Sequence, residues 1–170
     1  MDKLFNWFRW LFAKPELAKP VLPLENASVI TIHDKAPWMT WMDERRGWSE
    51  TTHNSALAKY WKYAGHSTWD TIRGRKRAWC AMCINAALHD TGYKGNGRAD
   101  AKSFCTYGEK CVEQYGCIVV IQHANGRHHV AFRGRLGILG GNQGDKISEI
   151  PLGNGDKIIA CRWPVKAIKP

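Results

Sequence analysis

Apolar positions recur at helical spacing in the first half of the chain and as short β-branched runs in the second. Pro37, followed by Trp38, Met39, Trp41 and Met42, predicts a helix with proline in its first turn, ended at Gly47. A second helix is predicted from Asn54 as cap, through Ala56, Leu57, Tyr60 and Trp61, to a stop at Gly65. A basic loop, Arg73 to Arg77, leads to a third helix that opens around Trp79 or Cys80 and continues through Ile84, Ala87 and Leu88 to Gly92. A short fourth helix is predicted over "ADAKSFCTYG". From Gly116 the pattern changes, because "CIVVIQH", "HHVAFRG", "LGILGG" and "KIIACRW" are short, rich in β-branched residues and punctuated by Gly or Asn. They read as strands of an antiparallel sheet. Helices first and strands second indicate an α+β fold rather than alternating α/β.

Ahead of this region the pattern is different. In "MDKLFNWFRWLFAK", Asn6, Arg9, Ala13 and Lys14 form a narrow polar stripe, with Trp7, Phe8, Trp10, Leu11 and Phe12 covering the rest. This is the profile of an interfacial amphipathic helix, and equally of a helix that docks on the domain or on a second chain. Its apolar run, Leu4 to Ala13, is about half the ~20 residues a spanning helix needs. It also makes a poor signal peptide, with Arg9 in the apolar stretch and no small-x-small site before Pro15. Pro15, Pro20 and Pro23 mark a semi-rigid linker. The expected organisation is therefore an amphipathic helix over 1–14, a linker over 15–36 and one domain over 37–170.

Composition narrows the class. With 44% hydrophobic residues and nine Trp, the chain has the apolar material for a core and is not a disordered segment. Twenty-five Lys and Arg against 15 Asp and Glu give a charge of +10, a field that attracts polyanions, including nucleic acid, anionic lipid and teichoic acid, without choosing among them. Six cysteines are many for a cytosolic chain yet sparse for a disulfide scaffold, so they leave the compartment open.

The chemistry centres on "RAWCAMCINAALHD". A thiol in the first turn of a helix meets free N–H groups and a positive dipole end that lower its pKa, and Cys80 is placed for that effect, with the basic loop beside it. Cys83 lies one turn further in on the face of Ala87, where a thiol acts as a small buried hydrophobe. A base for Cys80 must come from a strand facing the helix, and "HHVAF" offers His128 and His129. His129 shares a face with Ala131, whose small side chain would leave room for the helix, and is favoured on that ground. An imidazole needs an orienting acceptor. If the chain turns near Gly134, Gly140 falls opposite His129 and Asn142 lies two residues beyond on the same face, with Gln143 adjacent.

Together, Trp79-Cys80 on a helix, His129-Val130-Ala131-Phe132 on a strand and "ILGGNQ" after the next resemble the CHAP group, the cysteine, histidine-dependent amidohydrolases/peptidases. The similarity is greatest to the compact CHAP-like and NlpC-like domains of phage endolysins. "PWMTWMDERRGWSE" with "HNSALAKYWKYAG" looks like the two helices before that family's Trp-Cys motif, and "TGYKGNGRADAKSFCTYG" resembles its Gly-rich loop. The resemblance covers residues 37–163 in one collinear order. It implies a papain-like α+β fold with N-terminal helices packed on a C-terminal antiparallel sheet. It also implies Cys80 as nucleophile, His129 as base, Asn142 as orienting residue, and no metal or organic cofactor. The chain departs from the family at Gly116-Cys117, where Gly-Asp is usual.

The activity implied is cleavage of an amide in cell-wall peptidoglycan by a monomer. Such an enzyme is held in a host cytoplasm until released to the wall or periplasm, with residues 4–13 touching anionic membrane and no specific nucleic-acid partner. An interbacterial toxin or a tail-associated wall hydrolase would share this chemistry. Two other readings compete: a zinc or redox module built on Cys80-x-x-Cys83 with Cys105, Cys111 and Cys117, and a nucleic-acid-binding module built on the charge, "RGRKR" and the tryptophans. Cys105-x5-Cys111 is a poor second zinc pair, and the tryptophans fall at core spacing rather than among the basic residues.

Overall fold

The computed structural model describes residues 36–73 and 78–166. The expected amphipathic helix and nearly all of the linker, with the basic loop from residue 74 to 77, lie outside the described residues. The rest is a mixed α+β unit. Helix α1 (Pro37–Asp43) starts on its proline, and α2 (Asn54–Ala58) continues as a 3-10 turn over Lys59–Ala64 that ends at left-handed Gly65. Helix α3 is Cys80–Asp90, and the expected fourth helix is a 3-10 turn over Ala101–Thr106. There the Asp100 side chain accepts the Ser103 N–H at 2.8 Å, a cap that satisfies one of the orphan donors of the turn.

Asn54 does not cap α2. It is the first helical residue, behind His53, and its Oδ1 instead accepts from Thr71 Oγ1 at 2.8 Å and from the Ile72 N–H at 2.9 Å. Its amide therefore anchors the segment that returns towards α3.

The strands are β1 (Glu109–Lys110), β2 (Ile118–Gln122), β3 (His128–Arg133), β4 (Ile138–Gly140), β5 (Ser148–Ile150) and β6 (Lys157–Trp163). They form one six-stranded sheet in the order β1-β6-β2-β3-β4-β5, antiparallel throughout. The sequence pattern predicts β2, β3, β4 and β6; β1 and β5 are edge strands of two and three residues with too little alternation to announce themselves.

Each face of the sheet carries its own apolar cluster. Val120, Val130, Phe132 and Leu139 meet the helices, where Trp38, Met42, Ile84 and Leu88 are fully buried. Every residue of α3 from Cys80 to Leu88 is buried, the signature of a helix packed on all sides. The other face holds Cys117, Val119, Ile121, Ala131 and Ile138. Ala131 therefore makes no room for the helix: α3 packs with the Val130 and Phe132 face, and Ala131 points away from it. The expected register also shifts by two. Phe132 pairs with Leu139, which carried one step further sets Ala131, not His129, opposite Gly140. A Cβ built on Gly140 would stand 3.0 Å from the Ala131 Cβ and 3.2 Å from Gln143 Oε1, so the two small residues make room for the Gln143 side chain.

Candidate active site

Cys80 is the first residue of α3, with Trp79 as its N-cap. The capping side chain makes no hydrogen bond to the helix end, so the helix start is fixed by packing. Trp79 is fully buried, and its Nε1 donates to Glu50 Oε1 at 2.9 Å. Its ring closes on the turn after β4: a Cβ on Gly141 would lie 2.4 Å from one ring atom and 2.7 Å from the Cys83 Cβ. Only glycine lets these two segments touch. The helix that starts at Cys80 and the turn that follows β4 are thereby held as one piece.

The Cys80 thiol is 4% exposed, and burial raises its pKa above the ordinary thiol value. The nearby backbone N–H groups of Val130, Ala81 and Cys80 favour the thiolate and pull the other way, as does Arg127, but burial outweighs them. The expectation of a thiol acidified by the helix start is therefore corrected: the donors are present, and desolvation wins. Cys83 is fully buried and its thiol is also pushed up by burial; its Sγ lies 3.7 Å from Met42 Sδ. It packs as a small hydrophobe, as its position on the Ala87 face predicts.

His129, on β3, is 8% exposed. Its Nε2 lies 3.0 Å from Gln143 Oε1. The Gln143 amide nitrogen donates to Ile138 O at 3.3 Å and, in a short contact, to Ser148 O. Because both acceptors are carbonyls, the amide can present only its oxygen to His129, and Nε2 must carry the proton. Nδ1 is then the basic nitrogen. Burial holds the imidazole down to about 4, against the opposing pull of Gln143. The resting pair is thus a neutral thiol and a neutral imidazole rather than a thiolate and an imidazolium.

The acceptor for His129 is therefore Gln143 and not the expected Asn142. The reason is the backbone: β4 ends at Gly140, and Asn142 takes φ 60° in a turn where Gly144 and Asp145 are also left-handed. This breaks the strand alternation on which Asn142 was placed and brings Gln143 to the imidazole. The Gln143 N–H bonds Lys146 O at 3.0 Å and Ser148 Oγ donates to Gln143 O at 3.1 Å, which tie the turn down. A run of Gly, Gly, Asn, Gln, Gly and Asp signals this, since these are the residue types that tolerate left-handed backbone.

Cys80, His129 and Asn142 open on one cavity of about 470 Å³, which His123, Arg127 and Asp156 also line. His123 and Asp156 carried no mark in the sequence pattern. His123 Nδ1 lies 2.8 Å from Asp156 Oδ2, and that bond holds the Asp156 carboxyl below its usual range. The His123 and His129 rings lie 6.0 Å apart at 29°. His128, the alternative base, also lines the cavity, but among the described residues no side-chain acceptor orients it as Gln143 orients His129. Among the described residues, no three His, Cys, Asp or Glu side chains are arranged to hold a metal ion, and no helix is long and apolar enough to cross a membrane.

Models of protein families, curated proteins and solved structures give no match to this chain.

Proposed function

We propose that the protein is a cysteine amidohydrolase of papain-like fold that cleaves an amide in the peptide of bacterial cell-wall peptidoglycan, in the manner of the endolysin-type CHAP and NlpC domains its motifs resemble. The observation that carries the reading is the shared cavity: Cys80 at the start of α3 and His129 on β3 open on it together, with His129 Nε2 held by Gln143 Oε1.

In this mechanism His129 Nδ1 takes the Cys80 proton as Sγ attacks the amide carbonyl. A buried neutral thiol has to be deprotonated during the attack rather than before it. The tetrahedral oxygen is received at the start of α3, where the Cys80 N–H has no partner within the helix. The imidazolium then protonates the leaving amine, and the neutral ring activates water to hydrolyse the thioester. Gln143 keeps the ring in the tautomer that leaves Nδ1 basic, the role an acidic or amide third residue plays in a triad. The +10 charge suits an anionic envelope as target, and the lysis-related settings, host release and membrane contact through residues 4–13, belong to the same reading.

The test is digestion of purified peptidoglycan by wild type and by Cys80→Ala, with mass spectrometry of the released fragments. Release by wild type alone supports the reading, and equal release by both overturns it.

A further inference from the structure

The Cys117 that stands where the resembling family has an acidic residue is part of a second thiol site, far from Cys80 in sequence and on the other face of the sheet from α3. Val119 pairs with Cys161, and Cys117, two residues earlier on β2's lead-in, shares their face. The β1–β6 register, Lys110 with Arg162, carried one residue further sets Cys111 opposite Cys161, and the Cys111 N–H donates to Cys161 O at 3.3 Å. Cys111 and Cys161 pack against the cluster that holds Cys117, and the Gln114 N–H approaches the Cys117 Sγ at 3.5 Å. Three thiols thus converge with Cys117 in the middle. All six cysteines of the chain are free.

Cys111 and Cys161 are both half-buried. Cys111 lines an open cavity of about 540 Å³ together with Gln114, Trp163, Lys110 and Lys166, while Cys117 is fully buried behind it. Lys110 and Lys166 outnumber Glu109 in the lining, and this net positive balance suits an anionic reagent.

We propose that Cys111 and Cys117 form a dithiol–disulfide site that is oxidised by an anionic low-molecular-weight disulfide such as oxidised glutathione, with Cys161 as an exchange partner. Cys111, which lines the cavity, attacks one sulfur of the reagent, forming a mixed disulfide and expelling one thiolate. Cys117 then attacks the Cys111 sulfur, the Cys111–Cys117 bond forms, and the second reagent thiolate leaves; the two cysteine protons end on the two released thiols. Two electrons pass from the protein to the reagent. The 111–117 segment is the part able to adapt to disulfide geometry, because between Lys110 and Ile118 it belongs to no strand, whereas Cys161 is fixed inside β6 between two partners. Burial lifts the Cys117 thiol to about 12, in keeping with its role as the second, intramolecular attacker rather than the first.

The site stands apart from the hydrolase reading, and so does its test. The full chain is incubated with oxidised glutathione, alkylated without reduction and cleaved after Glu113, which separates Cys111 from Cys117. The expected result is loss of two alkylatable thiols and a Cys111–Cys117 linked peptide, with Cys80 and Cys83 still alkylated after denaturation. In Cys111→Ala that product is absent and any link that forms joins Cys117 to Cys161. A glutathione adduct that persists on Cys111, a link bypassing Cys117, or no thiol loss in the wild type overturns the proposal. The wild-type measurement decides it even if a variant fails to fold.

Discussion

Gln143 Oε1 accepts from His129 Nε2 at 3.0 Å while the other end of the same amide is fixed by two backbone carbonyls. The orientation of the imidazole is therefore set by backbone, through an amide with no freedom to flip. Removing that amide in Gln143→Ala leaves a buried N–H without a partner, at a cost of about 1–3 kcal/mol in stability. If His129 is the base, peptidoglycan hydrolysis falls about 100-fold with it. Asn142→Gly keeps the left-handed backbone and removes only a side chain at the cavity wall, so its hydrolysis stays close to wild type. Assaying both variants with thermal melts checks this, and a larger loss in Asn142→Gly would return the orienting role to Asn142.

The buried imidazole also makes stability depend on pH. Folded His129 titrates at about 4, against about 6.5 when unfolded, so between these values the unfolded chain binds the extra proton. Its contribution is fully present above pH 6.5 and is lost as the pH falls towards 4, about 3 kcal/mol across the window. Chemical denaturation at stepped pH should show this fall, and His129→Phe should flatten it. A wild-type profile that is level from pH 7 to pH 4 would contradict the neutral buried ring.

Gly141→Ala tests the contact between α3 and the turn after β4. The added Cβ has 2.4 Å to the Trp79 ring, so the ring or the turn must move, at a cost of about 1–3 kcal/mol. Because Cys80 follows Trp79 and Gln143 follows Asn142 along the same two segments, on the proposed hydrolase reading hydrolysis drops more than stability accounts for. A melt with the protein assayed well below its midpoint separates the two effects.

The two cysteines of α3 should part company. Cys83→Ala empties a small volume beside Met42 and Gly141, costing about 1–2 kcal/mol and leaving hydrolysis intact. On the proposed reading, Cys80→Ala abolishes hydrolysis at a cost in stability similar to that of Cys83→Ala, since both thiols are buried. Loss of activity in Cys83→Ala at a temperature where it is folded would revive a paired-thiol chemistry.

Much of this arrangement was readable from residues alone. Pro37, Gly65 and Gly92 bound their helical segments because proline and left-handed glycine act locally, and the runs at β2, β3 and β6 are long enough for their β-branched content to speak. Local pattern also points to Cys80 and His129, which line one cavity, although Ala131 lies on the face of the sheet away from the helix and clears no space for it. What escaped depended on chain path. Gln143 reaches His129 because Asn142 turns left-handed, and a period-two pattern cannot register such a turn. His123 and Asp156 meet across 33 residues through the return of β6, and nothing near either one in sequence points to the other. The balance at the Cys80 thiol is likewise a matter of depth: helix-start donors can be read from position, while the burial that outweighs them cannot.

The order of the strands has a consequence for how the molecule is made. β2 to β5 form a meander of short connections, yet β6 must thread between β1 and β2 before either of those edges is covered. Until residue 163 has emerged, β2 presents an unpaired edge rich in Ile and Val, the kind of surface that recruits a second chain. Long-range pairing of this sort is slow to form. Asp156 arrives at His123 with the same strand, so the cavity wall beside His129 is complete only after that closing step.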